Sequence, residues 1–260
     1  MTDWQLDQLK PFGLVVTSKQ PGSDLYALPT ANLQQWVENQ RVVILRGFAP
    51  LEARRFPQFC SRFGEILEWD FGAVNELRVQ SEARNYLYTN REVPFHWDGA
   101  FAGRVPRYIF FHCDEAPPPG SGGETLFCDT VRLLEEAPPE RRALWAQIDI
   151  TYTTQKIVHY GGSFTSPMIC SHLLNGNQVL RFAEPVVDLN PVQLEINGIP
   201  EEEQAAFLKD MHERLHNDAV CYRHEWRQGD VVIADNFVLL HGRDAFADNS
   251  PRKIRRVNIL

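Results

Sequence analysis

A mainly β fold with flanking helices, an α+β sandwich or barrel, is what this sequence predicts. Three observations carry that expectation: short runs rich in Val, Ile, Phe and Tyr recur over most of the chain, turn residues separate them, and only a few segments show helical spacing. No internal repeat, low-complexity tract or long Gly/Ser linker interrupts the 260 residues, so one domain over 1–260 is expected. A chain of this length with 43% hydrophobic residues can bury a core without disulfides or structural metals.

The first third reads as an α/β entry. Thr30 is placed to cap a short helix through Trp36, residues 41–46 form an apolar strand, and residues 50–63 form a helix that Gly64 ends. β signals then dominate, at 85–89, 108–112, 125–128, 148–153, 219–222, 231–234, 237–240 and 254–259. Two helices interrupt them. Pro138-Pro139-Glu140 opens one to about Trp145, and Pro200-Glu201 opens another, in which Phe207, Leu208, Met211 and Leu215 make an apolar stripe. The stretch from about 152 to 197 is less regular, with Gly161-Gly162, Ser166-Pro167 and Asn175-Gly176. In a mostly β chain it reads either as a lid or insertion over a pocket or as a plain surface excursion.

A net charge of −8 sets up no general attraction for phosphate backbones or anionic lipid, so neither nucleic acid nor membrane is an expected partner. The five cysteines are odd in number, widely spaced and without a C-x-x-C pair, which fits a reducing cytoplasm. Cys113 and Cys128 sit in apolar strands and are expected to be buried, inert thiols. The N-terminus shows no basic region followed by an apolar stretch, and no run approaches the roughly 20 apolar residues of a membrane span. A homo-oligomer is left open.

Eight histidines invite a metal hypothesis, yet with 34 acids in 260 residues about one His-x-acid triplet is expected by chance. Three occur. His216 and Asp218 close the second predicted helix, where a cation suits the dipole and an Asp suits the exit turn, so they read as structural. His112 and Asp114 end an apolar strand ahead of Pro117-Pro118-Pro119-Gly120 and also read as structural. His96 and Asp98 differ: Gly99 and Ala100 leave room around two side chains that alternation puts on one face. A third ligand would come from His241, after a hairpin-like stretch over 229–240. Two His and one carboxylate are the facial triad of non-haem iron oxygenases, although a zinc hydrolase could use the same set. The segment after His241 favours the oxygenase. In a strand over 252–259, Arg252 and Arg256 share a face while Arg255 points away, and nothing local supplies two carboxylates for them. Bound dicarboxylate and substrate carboxylate would be natural counter-charges.

His96-Trp97-Asp98, Gly122-Gly123-Glu124-Thr125 with Asp129, His241, and Arg252 with Arg256 stand in an order and separation that resembles the taurine dioxygenase/TfdA family over nearly the whole chain. The resemblance implies a double-stranded β-helix (jelly-roll, cupin-like) core with helices outside and a lid insertion at about 152–197. It implies Fe(II) on the catalytic triad His96, Asp98 and His241, with 2-oxoglutarate and O2 as co-substrates. By position Arg252 matches the arginine on the distal carboxylate of 2-oxoglutarate, Thr125 the threonine assisting it, and Arg256 the arginine for a substrate anion. Residues 95–101, Phe111-His112-Cys113 and Arg255-Arg256-Val257-Asn258 are similar to the family's isonitrile-oxidising branch. That likeness implies a small carboxylate substrate such as tyrosine isonitrile, desaturated with or without loss of its carboxylate. Phe101 and Phe164 are candidates for an aromatic wall around its ring. The other readings are a hydroxylase of a taurine-like sulfonate or free amino acid, and a cupin-like protein that binds metal and anion without turnover.

Overall fold

The computed structural model describes residues 3–157 and 160–260. The chain opens with the antiparallel pair β1 (Trp4–Gln8) and β2 (Leu14–Ser18), followed by α1 (Thr30–Gln40), β3 (Val42–Arg46), α2 (Arg55–Cys60), β4 (Asn75–Leu77) and β5 (Val93–His96). Then come β6 (Tyr108–Glu115), β7 (Thr125–Asp129), α3 (Thr130–Glu136) and α4 (Pro139–Trp145). The middle of the chain holds β8 (Asp149–Ile157), β9 (Tyr160–Pro167), β10 (Ile169–Ser171), β11 (Gln178–Leu180) and β12 (Gln193–Asn197). After α5 (Glu201–Leu215) it closes with β13 (Cys221–His224), β14 (Val231–Asp235), β15 (Leu239–Arg243) and β16 (Lys253–Ile259).

Two sheets face each other. The larger has the order β1-β2-β3-β14-β6-β16-β4 and the smaller β13-β7-β15-β5, so neighbours in space come from distant parts of the chain. Strand alternation assigns every apolar residue a side. Ile44, Phe111 and Val232 of the large sheet meet Phe127 and Leu239 of the small one in the inner core. The intervening Val43, Leu45, Phe110 and Ile233 face outward onto Leu33 and Val37 of α1 and Phe56 and Phe59 of α2. On the far side of the small sheet, Phe95, Leu126, Cys128 and Leu240 pack against Trp145, Phe207, Met211 and Leu215 from α4 and α5. This is the helix-flanked jelly roll that the sequence led us to expect.

Several elements differ from the sequence reading. Thr30 is the first residue of α1 rather than its cap, and the helix continues to Gln40 because Leu33 and Val37 share one buried face. The second predicted helix shrinks to Arg55–Cys60. Its first turn is lost because Leu51 is claimed by tertiary partners: its N–H donates to His112 Nε2 and its carbonyl accepts from Arg255 Nη2. Residues 86–88 form a 3-10 turn, since the Asn85 side chain accepts the Leu87 N–H and caps it locally. The 229–240 stretch is no hairpin. β14 and β15 lie in different sheets, and a turn in which Asp235 Oδ1 accepts the Phe237 N–H carries the chain across. β13 starts later than predicted because the Asn217 side chain holds Ala219 in a turn.

Residues 152–197 are more regular than expected, apart from 158–159, which lie outside the described residues. β12-β8-β9 form a sheet of their own and β10-β11 pair separately. Polar rungs obscured these strands in the sequence. Thr151 Oγ1 meets Thr165 Oγ1 at 2.8 Å and Thr153 Oγ1 meets Ser163 Oγ at 3.0 Å, while Ile150 and Tyr152 on the other face are buried.

Candidate active site

Alternation along three strands builds the centre. His96 follows the outward-facing Phe95 and therefore points between the sheets, and His241 shares the inner face with Leu239. β5 and β15 pair with His96 opposite His241, which brings the rings to 4.3 Å between centroids. Asp98 leaves the end of β5 and completes the group. Its Oδ1 lies 3.8 Å from His96 Nε2 and 3.9 Å from His241 Nε2. The three residues named from sequence thus offer three ligand atoms within 4.8 Å of one another.

Each is held for that purpose. His96 Nδ1 contacts the Pro94 carbonyl at 2.9 Å, which leaves Nε2 with its lone pair towards Asp98 and His241. His241 Nε2 is buried and makes no hydrogen bond, an orphan that a cation would satisfy. Asp98 Oδ2 accepts from Asn258 Nδ2 at 2.8 Å, Oδ1 accepts from Arg256 Nη1 at 3.1 Å, and its backbone N–H donates to Asn236 Oδ1 at 3.0 Å. Gly99 follows with φ +94°, and a Cβ there would fall 2.3 Å from the Arg104 carbonyl, so no other residue lets the chain leave the site this way.

The electrostatics follow from burial. Desolvation pushes the Asp98 carboxyl up, but the Arg256 guanidinium outweighs it, helped by the Asn258 hydrogen bond, and holds the group well below the usual carboxylate range. Burial pushes His241 down, and the neighbouring His96 adds to this; burial lowers His96 as well, against the opposing pull of Asp98. The centre is therefore an ionised carboxylate beside two neutral imidazoles, a ligand set ready for a divalent cation without proton loss.

Arg252 and Arg256 enter one recess, with Thr125, Phe111 and His241 on its wall. Arg252 is buried; its Nε donates to the Gly123 carbonyl at 3.0 Å and its Nη2 to Thr125 Oγ1 at 3.4 Å, and no carboxylate pairs with it among the described residues. Burial brings its pKa down only to about 10, so it stays charged and fits an incoming carboxylate. Arg256 differs from the sequence expectation: Asp98 is a carboxylate partner within the chain, supplied by the fold from 158 residues away. Arg255 points outward as predicted and pairs with Asp114 at 2.6 Å, beside His112, so both the latter residues do structural work.

A second recess opens on the other side of the triad, lined by Trp69, Tyr86, Trp97, Tyr152, Phe101 and Phe164, with Arg256 at its base. Phe164 meets Phe101 edge to face at 4.8 Å and stacks on Tyr152 at 5.1 Å, so β8 and β9 of the 152–197 segment each contribute a ring to this recess. Sequence reasoning missed Asn236, Asn258, Arg243 and Trp226. Asn258 had a signal, since it lies two residues beyond Arg256 on the same strand face. Trp226 Nε1 donates to Thr125 Oγ1 at 3.0 Å and fixes that hydroxyl, and Arg243 binds the Leu87 and Thr89 carbonyls; neither had a local signal.

Comparison with known proteins agrees with this geometry. The taurine catabolism dioxygenase TauD, TfdA family profile matches residues 6–258. The chain is 46% identical to 3-((Z)-2-isocyanoethenyl)-1H-indole synthase of Fischerella ambigua, covering 99% of this chain and 96% of that one. It is 36% identical to tyrosine isonitrile desaturase of Pseudomonas aeruginosa, covering 95% and 87%. The crystal structure of PvcB from Pseudomonas aeruginosa superposes with a TM-score of 0.85 at 33% identity, over 99% of this chain and 92% of that one. A second PvcB structure, with a TM-score of 0.83, is described as that of an Fe, alpha-ketoglutarate dependent oxygenase from an isonitrile synthetic pathway. With the jelly roll, the His-Asp-His corner and the buried Arg252 in place, the chain belongs to the TauD/TfdA family of iron- and 2-oxoglutarate-dependent dioxygenases.

Proposed function

We propose that this dioxygenase desaturates the isonitrile of an aromatic amino acid, with or without loss of its carboxylate. The observation that carries the reading is an aromatic recess with Arg256 at its base, opening directly onto His96 and Asp98. Relatives named for tyrosine isonitrile and for an isocyanoethenyl indole support it. Tyrosine isonitrile is the substrate that the motifs favoured, with a tryptophan-derived isonitrile left open, and the 46% identity to the indole synthase supports that second reading.

In this proposal His96, Asp98 and His241 hold Fe(II), while Arg252 and Thr125 hold the distal carboxylate of 2-oxoglutarate. When bound, iron and 2-oxoglutarate supply the oxidising power: O2 is reduced, 2-oxoglutarate becomes succinate and CO2, and two hydrogens leave the substrate to give an alkene and water. The chain supplies position. Arg256 receives the substrate carboxylate while its Nη1 keeps hold of Asp98, which fixes the reacting carbons relative to the ligand corner. Phe101 and Phe164 bracket the aromatic ring, and their edge-to-face geometry accepts a further ring without a polar penalty. The 152–197 segment acts as a lid, with β8 and β9 keeping water from the oxidant. We further assign residues 1–260 to one oxygenase domain that includes this lid, the family match over 6–258 supporting it.

The test is an anaerobic titration with Fe(II) and 2-oxoglutarate, then admission of O2 with each isonitrile in turn and mass spectrometry of products. Succinate formation stimulated by one isonitrile, with a product two hydrogens lighter or lighter also by CO2, is expected. Succinate that neither isonitrile stimulates would overturn the substrate and leave a hydroxylase of another acid. No succinate under any condition would return the chain to a binding protein.

A further inference from the structure

A second group of two imidazoles and a carboxylate lies behind the active site, on the outer face of the small sheet. Glu184, His212 and His216 offer ligand atoms within 4.8 Å of one another. His212 and His216 stand four residues apart at the C-terminal end of α5, so the helix itself brings their rings together, tilted and 4.2 Å apart between centroids. Glu184 comes from the segment after β11, and its side chain is almost wholly buried. His212 Nδ1 lies 2.7 Å from Glu184 Oε1, and His216 Nε2 lies 3.6 Å from Oε2. The second distance is too long for a hydrogen bond, and His216 Nε2 is a buried nitrogen with no partner.

We propose that these three residues form a zinc-class divalent cation site, separate from the iron corner. Ligands at about 2.0–2.1 Å in tetrahedral array are about 3.3 Å apart, a spacing that lies between the two distances seen here. A cation replaces the proton shared by His212 and Glu184 and gives His216 Nε2 its missing partner. Glu184, His212 and His216 also line a cavity of about 180 Å³ with Leu208, Arg243 and Asp244, which has room for water as a further ligand. Arg243 also lines this cavity, but its Nη1 and Nη2 are engaged by the Leu87, Thr89 and Arg91 carbonyls and neither donates to Glu184. Imidazole with carboxylate suits zinc better than ferrous iron in the general affinity order of divalent metals.

The site is tied to the iron centre through one strand. Glu184 Oε2 accepts the Phe95 N–H at 2.8 Å and the Glu184 N–H donates to the Phe95 carbonyl at 2.9 Å. Both groups lie on the open edge of β5, the last strand of the small sheet, next to His96. A cation held by Glu184 and α5 therefore clamps the strand that carries an iron ligand, and its role is to fix that edge rather than to take part in oxidation.

The test uses Zn²⁺ alone on the metal-stripped full chain, with equilibrium dialysis, elemental analysis and thermal unfolding. About two equivalents are expected for the unmodified protein, since zinc also enters the His96-Asp98-His241 corner, and about one for His212→Ala/His216→Ala. Asp98→Ala/His241→Ala, which leaves the α5 site intact, should keep about one equivalent and still show a zinc-dependent rise in Tm. One equivalent in the unmodified protein, or two in the α5 double variant, would overturn the proposal. Should the α5 variant fail to fold, zero binding by Asp98→Ala/His241→Ala does the same.

Discussion

Arg256→Gln is the most informative single change, because Arg256 stands between the metal corner and the aromatic recess. Its Nη1 lies 3.1 Å from Asp98, and its Nε is buried without a hydrogen bond, leaving donors for a substrate carboxylate. A charge-assisted hydrogen bond contributes about 1.5–3 kcal/mol, so its loss should raise the substrate Kd about 10- to 150-fold. The iron corner should suffer far less. Gln can still donate a neutral hydrogen bond to Asp98, Asn258 continues to hold Oδ2 at 2.8 Å, and removing a positive charge beside a cation acts in the opposite direction. Iron and 2-oxoglutarate affinities are expected to stay within about fivefold, the equivalent of about 1 kcal/mol. The assay is anaerobic titration of the coloured Fe(II)–2-oxoglutarate chelate, then titration with substrate followed by the change it causes in the chelate band, in both proteins. Equal loss of chelate and substrate affinity would refute the division of labour between Arg252 and Arg256.

Three further outcomes are expected. His241→Ala should abolish stoichiometric Fe(II) binding, because only His96 and Asp98 remain at the corner; retention of iron together with succinate formation would rule out the triad. Arg252→Ala removes the buried guanidinium that donates to Thr125 and should raise the 2-oxoglutarate requirement about 10- to 150-fold; an unchanged requirement would exclude Arg252 as the anchor. Asp235 gives a pH test of stability. Burial raises its pKa from 3.8 to about 6, so the native state holds a proton that the unfolded chain has released between those values. Stability from this group therefore falls as pH rises from about 4 to 6, by at most about 3 kcal/mol, and Asp235→Asn should remove that slope in urea unfolding. An identical pH slope in the variant would show that Asp235 does not titrate in this range.

Helix flanks, the main strands and the chemistry of the centre were legible because they depend on local order. Period-two alternation put Arg252 and Arg256 together and Arg255 apart, and it put His96 and Asp98 on one side, before any partner strand was known. Elements whose backbone is claimed from afar were misread. Leu51 prefers helix by its neighbours, yet its N–H and carbonyl are bound by His112 and Arg255. Strands β8 and β9 were hidden because Thr and Ser line their outer face.

By itself the sequence determined the ligand types, their faces and the charge available to bind anions. Only the tertiary structure decided which groups meet. Pairing of β5 with β15 sets His241 opposite His96 across 145 residues, and closure of the two sheets gives Arg256 a partner in Asp98 that no local reading supplies. The fold also brings Glu184 to the end of α5, where His216, read from sequence as part of a helix terminus, joins His212 and Glu184 in a second candidate ligand group. The physical reason is that side-chain direction is fixed by local backbone geometry, whereas strand pairing is fixed by burial of the whole chain's apolar faces at once.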